Sequence, residues 1–547
     1  MTTRNELAMV ATDKQAAGAP ADLIDPSGVP ADQPVRPAPR LAGLEGRRIL
    51  LLDNGKLAAT HGANAVLADA LRAGLPEASW TQATVNLLKA GDADIEPIAD
   101  SLIAAHQPDA CVLALADAGV TAHTALVGVA LERRGIPTVL LGTKLGAGLG
   151  RALFRARAPG LDVVVLDIVR TDSAERVRAT IAAELSRIRA LLTGDLAPAA
   201  APPASLYPPA LAQRWAEAAA DMASFQDWAE QAGLGDGLPL IPPTEAAVAA
   251  HLATVEASAD AVVYGPALTS GRTLRVRDAA ANAVMAGCPP RAFPVVLAAL
   301  RAMAKPEYRL SQAAITTHPS GNAVVLSGVD PALYGLSAGA GCLGPGHRGN
   351  ACVGRAVSLS VLHLFGARPG EADLTIFGSP AEFTYCMAET DSATPWPPLS
   401  RELGEGRPGV LVVKAEAPRN VLETLLLTPE ALCGALADAA VSLCANNSFV
   451  PGDLLVFLNP EHAALFAAAG WTRQDLASAI HHQARVSRLR VAGRGVGPIR
   501  PRYMDALDQL PVTRSPADVH IVVAGAAGPQ SMVALPWGYS RGQWQAL

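Results

Sequence analysis

Aromatic residues are scarce in this chain of 547 residues, where Phe, Trp and Tyr together make up 4%. Its apolar mass, 50% of the residues, rests instead on Ala, Leu and Val. Charge is thin as well, at 17%, and the net balance of -6 comes with no long basic run. A nucleic-acid surface needs clustered Lys and Arg to meet phosphates, so that class of partner is excluded. No stretch approaches the roughly 18 uninterrupted apolar residues of a membrane span, so no membrane partner is expected. The opening MTTRNELAMVATDK lacks an apolar core ahead of a small-residue cleavage site. Seven cysteines at irregular spacings make no disulfide framework and point to a reducing, cytoplasmic setting.

What the chain does have is length enough for two or three cores, with 48 Gly and 43 Pro as punctuation. Residues 1–45, rich in Ala, Pro and Asp, read as a disordered leader. From Arg48 onward short apolar runs alternate with helical periods. The strands are ILLLD, a weaker stretch near Ser79–Val85, ACVLALAD, PTVLLG and DVVVLD, and the last helix covers Ser173–Leu192. Such alternation predicts βαβ units, hence a flavodoxin-like or Rossmann-like doubly wound α/β domain over 46–192. A Pro/Ala linker follows at 193–211. Residues 212–547 mix strands and helices without strict alternation and predict a larger mixed α+β domain. Its expected strands include AAITT, NAVVLSG, DLTIFG, FTYCMAE and GVLVVKA.

In the first part LLDN (Leu51–Asn54), the turn Asp117–Gly119 and the run ALERRGIPTV resemble the UGSC-type proteins, named for a Cys-or-selenocysteine, Gly, Ser, Cys motif after the third strand. The resemblance implies kinship with selenoprotein reductase subunits. Here the motif positions read Ala118, Gly119, Val120 and Thr121, with no sulfur to act as nucleophile or resolving thiol. The first domain is therefore expected to be catalytically silent, a ligand platform or a dimerisation surface. The second part is similar to proteins encoded beside or fused to UGSC-type domains, through GDGLPLIPPT, NAVMAGCPP, ITTHPSGN and GCLGPGHRGNACVGRA. No activity comes with that likeness.

Chemistry is then sought in residues 236–390. The segment AGAGCLGPGHRGNACVGRA ahead of a helix places Asn350 as the expected N-cap, with His347, Arg348 and Arg355 nearby. Free backbone N–H groups and two guanidinium groups suit a carboxylate or phosphate. Cys342, His347 and Cys352 fall at the spacing of three zinc ligands, an incomplete set, so zinc is the only cofactor the pattern raises. Cys288, between Gly287 and Pro289, is a candidate nucleophile or redox thiol, and the alternative is a buried turn residue. His318 and Asn322 in ITTHPSGN, and Glu389 at the end of FTYCMAE, are candidates for proton transfer and substrate binding.

The expected function is a small-molecule enzyme for an anionic substrate, using thiol or acid–base chemistry. Carbon–heteroatom cleavage by a lyase or an oxidoreductase is the reaction type considered, and a homo-oligomer fits the class. The other class is a non-catalytic ligand-binding or scaffold subunit that partners an active enzyme. Both readings turn on whether the loops of Cys288, His318 and Arg348–Arg355 surround one cavity.

Overall fold

The computed structural model describes residues 23–30, 33–55, 64–117, 119–169, 172–194, 222–390, 392–423, 428–443, 445–491, 504 and 506–547. Ala118, residues 1–22 of the expected leader and 195–211 of the expected linker lie outside the described residues.

The first region is a mixed α/β unit around five parallel strands: Arg48–Asp53, Ser79–Thr84, Ala110–Ala116, Thr138–Thr143 and Val163–Leu166. Their order across the sheet is 2-1-3-4-5. Ala110–Ala116 is buried at every position, because helices cover both faces of the sheet. On one face Ile49, Leu51, Val112 and Leu141 meet Leu67, Leu71, Ile181 and Ile188 from the helices Asn64–Gly74 and Ala174–Thr193. On the other, Leu50, Leu52, Leu113 and Leu140 meet Leu102, Leu126 and Phe154. That second core does not stop at the sheet's helices. It runs on without a break into Phe293, Leu297, Phe365 and Val412 of the later region.

The later region holds two four-stranded sheets. In the first, Cys386–Ala388 lies parallel to Gly321–Ser327, which pairs antiparallel with Gly409–Ala415, and that strand pairs antiparallel with Gln543–Ala546. The second has the order Arg419–Leu422, Gln530–Ala534, Leu454–Leu458, Val519–Val523. Ala323, Val325, Leu411 and Val413 of the first meet Leu455, Phe457 and Val522 of the second, so the two sheets share a core. The opposite face of the first sheet packs on helices Phe293–Met303 and Arg348–Phe365.

Three expectations differ. Residues 23–30 and 33–45, read as leader, are placed against the rest of the chain: Val29–Pro30 pairs with Arg272 and Thr273, and Leu41 N–H donates to Leu192 O. Pro and Asp there carry no hydrophobic period, yet buried Arg272 satisfies itself on the carbonyls of Ser27 and Gly28. AAITT ends the short helix Leu310–Ala313 instead of forming a strand. DLTIFG forms no strand either; Ile376 and Phe377 are exposed, since no neighbouring strand covers that run. No helix among the described residues is long and apolar enough to cross a membrane.

Candidate functional site

The helix Val276–Met285 ends in a turn that needs Gly287 at φ +79, a left-handed value open to glycine. The turn aims the Gly287 carbonyl at Arg348, whose Nε and Nη2 donate to it at 3.1 and 2.9 Å. It also tucks Cys288 inward, 4% exposed, while His251 Nε2 donates to the Cys288 carbonyl at 3.1 Å. The helix Arg348–Phe365 starts beside it. Gly349 admits the neighbouring turn closely, because a Cβ there would lie 1.9 Å from Gly335 O. Cys352 stands half-buried in the second turn of that helix.

The Cys352 sulfur lies 3.7 Å from where a Cβ on Gly287 would stand, next to Cys288, and the two thiols act on each other's ionisation. The neighbouring Cys288 thiol, followed by the Arg348 and Arg355 guanidinium groups and opposed by partial burial, brings the Cys352 thiol down to about 6. A helix N-terminus adds positive potential in the same direction. Burial, then the neighbouring Cys352, pushes Cys288 up. The result is an asymmetric dithiol, one sulfur poised as thiolate and the other kept as S–H. Ile241 stands at the turn's edge, in van der Waals reach of a Cβ built on Gly287, and keeps 41% exposure.

The sequence candidates divide into separate groups. Cys288, Cys352 and Arg348 come together. Arg355 is turned away: Nε and Nη2 hold Asp236 at 2.7 and 2.8 Å, and Nη1 and Nη2 donate to the carbonyls of Pro239 and Leu238. Its donors are committed to the 235–240 loop, and its effect on Cys352 is one of charge alone. Asn350 is not the N-cap, since the helix starts earlier, with His347 in the cap position. Asn350 instead braces the glycine-rich loop, accepting from Ser337 N–H at 2.8 Å and donating to Ser337 O and Cys342 O. His347 donates to Ala340 O at 2.9 Å. Cys342 is buried, pushed up by that burial. Among the described residues no group of three or more His, Cys, Asp or Glu is arranged to hold a metal ion, and Cys342, His347 and Cys352 do not converge on one.

Glu389 lies elsewhere, fully buried, accepting from Ser327 Oγ at 2.6 Å and Leu399 N–H at 2.8 Å and paired with Arg473. His318 donates to Glu416 Oε1 at 3.0 Å, and Asn322 accepts from the Tyr308 hydroxyl at 2.7 Å. Asn322 stands in register beside Lys414, a buried lysine that the sequence reading passed over inside the apolar run GVLVVKA. A lysine in such a run, opposite Asn322 in the next strand, was the available signal. Two cavities, of about 280 and about 1300 Å³, lie where the parallel sheet's helices meet the later region, and Cys288, His318 and Arg348 line neither.

At the carboxyl ends of the parallel strands Asp117 accepts from Thr143 Oγ1 at 3.0 Å, and Thr121 Oγ1 donates to Asp117 O. Gly119, at φ +84, turns the chain into the helix Thr121–Arg133. Order reversal between Arg48–Asp53 and Ala110–Ala116 makes this the edge where α/β sheets open a crevice.

The first region is thus an α/β unit built on a parallel sheet, with its turn chemistry at the strand ends. Residues 22–194 match the UGSC family, which bears out the resemblance expected for this region. No curated protein matches the chain.

Proposed function

We propose that the protein is a small-molecule enzyme working by thiol chemistry in its later region, with Cys352 as nucleophile and Cys288 as resolving thiol. The observation that carries this reading is the placing of Cys352 beside the Gly287–Cys288 turn and Arg348 at the start of a helix. Arg348, exposed above the sulfur, suits the carboxylate or phosphate of an acidic substrate. The reaction class is reductive cleavage of a carbon–heteroatom bond. The Cys352 thiolate bonds to the heteroatom group or the carbon, and Cys288 then displaces it to close a disulfide. R–X and two thiols give R–H, HX and the disulfide, the two electrons coming from sulfur, and an external dithiol restores the pair. The enzyme is then an oxidoreductase; a lyase would leave both thiols unchanged.

The match over residues 22–194 and the 2-1-3-4-5 order support a flavodoxin-like, doubly wound first domain, followed by a larger mixed α+β region that shares its core. The six described cysteines are all unpaired, which suits a cytoplasmic, reducing setting. The scaffold reading draws on two observations: no thiol stands at the family's motif positions 118–121, and the loops of Cys288, His318 and Arg348–Arg355 do not surround one cavity, so the thiol reading rests on Cys288, Cys352 and Arg348 alone.

The deciding experiment alkylates the reduced protein in a time course and maps the labelled peptides, with and without small carboxylates and phosphates. Fast labelling of Cys352, slowed by one of these acids in the native protein but not in Arg348→Ala, supports the enzyme. Labelling of Cys352 no faster than a free thiol, with no acid protecting it, sinks the proposal.

A further inference from the structure

Lys414 sits in the strand Gly409–Ala415 with 6% of its surface exposed. In register opposite it is Asn322, so the two side chains share a face of the sheet. Its Nζ has no hydrogen-bond or ion-pair partner among the described residues, although Glu382 and Asp373 act on it through their charge. Such a buried ammonium is costly, and the unpaired amine is the form that burial favours.

Two other polar groups beside it on the sheet also lack a protein partner among the described residues. Ser320 Oγ, just before the strand Gly321–Ser327, is buried without a partner. Asn322 gives its oxygen to Tyr308, and its amide N–H₂ meets no acceptor among the described residues. Three polar groups along two paired strands are thus left for a small polar molecule to satisfy. The charge acting on Lys414 is negative, from Glu382 and Asp373. This field repels an anion and favours a cation.

We infer that Lys414 is the amine of a second site, one that takes a neutral aldehyde or ketone as an imine. The neutral amine adds to the carbonyl carbon, the carbinolamine loses water, and the C=N bond that remains is protonated to an iminium. Glu382 and Asp373 stabilise that cation, and the Asn322 amide and Ser320 hydroxyl are placed to bind the carbonyl oxygen before it leaves. Burial brings Lys414 down to about 8. At pH 7 it is then roughly two hundred times richer in neutral amine than an exposed lysine. The site is independent of the thiol pair.

The test exposes the full chain at pH 7 to butanal with cyanoborohydride, which reduces the imine to a stable secondary amine, and maps labelling over the six lysines. Expected is at least tenfold more label on Lys414 than on any other lysine, with the α-amino group as internal reference, and no label at that position in Lys414→Arg. The carboxylated analogue 4-oxobutanoate is expected to label Lys414 less than butanal does. Label spread evenly over the lysines, or an unlabelled Lys414, overturns the site. Stronger labelling by 4-oxobutanoate overturns the assignment to neutral carbonyls.

Discussion

Arg473 Nη2 donates to Glu389 Oε1 at 2.7 Å, and 4% and 0% of the two side chains are exposed. The carboxylate is completed by Ser327 and Leu399, and Arg473 stacks 5.9 Å above the Trp396 ring. Burial pushes Glu389 up and the Arg473 charge pulls it back. Glu389 is therefore a structural knot between Gly321–Ser327 and the helix Arg473–Gln483. Removing one partner leaves an uncompensated buried charge, so Glu389→Ala should cost roughly 3–5 kcal/mol. Glu389→Leu combined with Arg473→Met should cost clearly less. Denaturation midpoints of the native protein and the two variants check both statements.

The thiol pair has a pH signature. Cys352 labelling by iodoacetamide should rise with a midpoint near pH 6, while Cys288 stays unreactive through neutral pH. Cys288, Arg348 and Arg355 all favour the thiolate, so loss of any one should shift the midpoint upward. Arg348→Gln is expected to leave roughly tenfold less thiolate at pH 6. An unchanged midpoint in that variant would remove Arg348 from the account.

Gly354 brings the helix Arg348–Phe365 against the segment before Cys386. A Cβ there would lie 2.4 Å from Tyr385 N and 2.5 Å from Thr384 Oγ1. Gly354→Ala should therefore cost about 1–3 kcal/mol and loosen the seat of Cys352. Thermal unfolding reads the first effect, and a changed Cys352 labelling rate the second.

Asp453 accepts from His520 Nε2 at 3.0 Å and from Arg514. Burial raises its carboxyl, but the His520 hydrogen bond and the charges of His520 and Arg514 outweigh that, and it is held below the ordinary aspartate range. A depressed folded value means stability that is present above the unfolded pKa, about 3.9, and lost as pH falls through the folded value. The unfolding midpoint of Asp453→Asn should lie well below that of the native protein at pH 7, and the gap should narrow below about pH 4. A gap that is constant with pH contradicts the ion pair's role.

The first region was legible because its strands are short apolar runs between turn residues, and a parallel sheet covered on both faces must look like that. Ala110–Ala116 and Thr138–Thr143 fall where the sequence puts them. Short strands carried no such signature: Arg272–Arg275 is RTLR and Gln543–Ala546 is QWQA, with too few apolar residues to alternate. In the site, a glycine–proline turn marked Cys288, but nothing local linked it to Cys352. Their contact depends on two helices meeting end to start, which is tertiary information. Cys352 in an apolar helix reads as core for the same reason. Arg355 looked free because its partner, Asp236, stands in a distant loop.

The apolar mass under one face of the parallel sheet belongs equally to Leu113 and to Phe293. Neither stretch of chain owns a finished surface at that seam, so the part related to the UGSC family is bound to its companion in folding as well as in sequence. Cleaving the chain between residues 194 and 222 should leave two pieces that precipitate apart and recover solubility when refolded together.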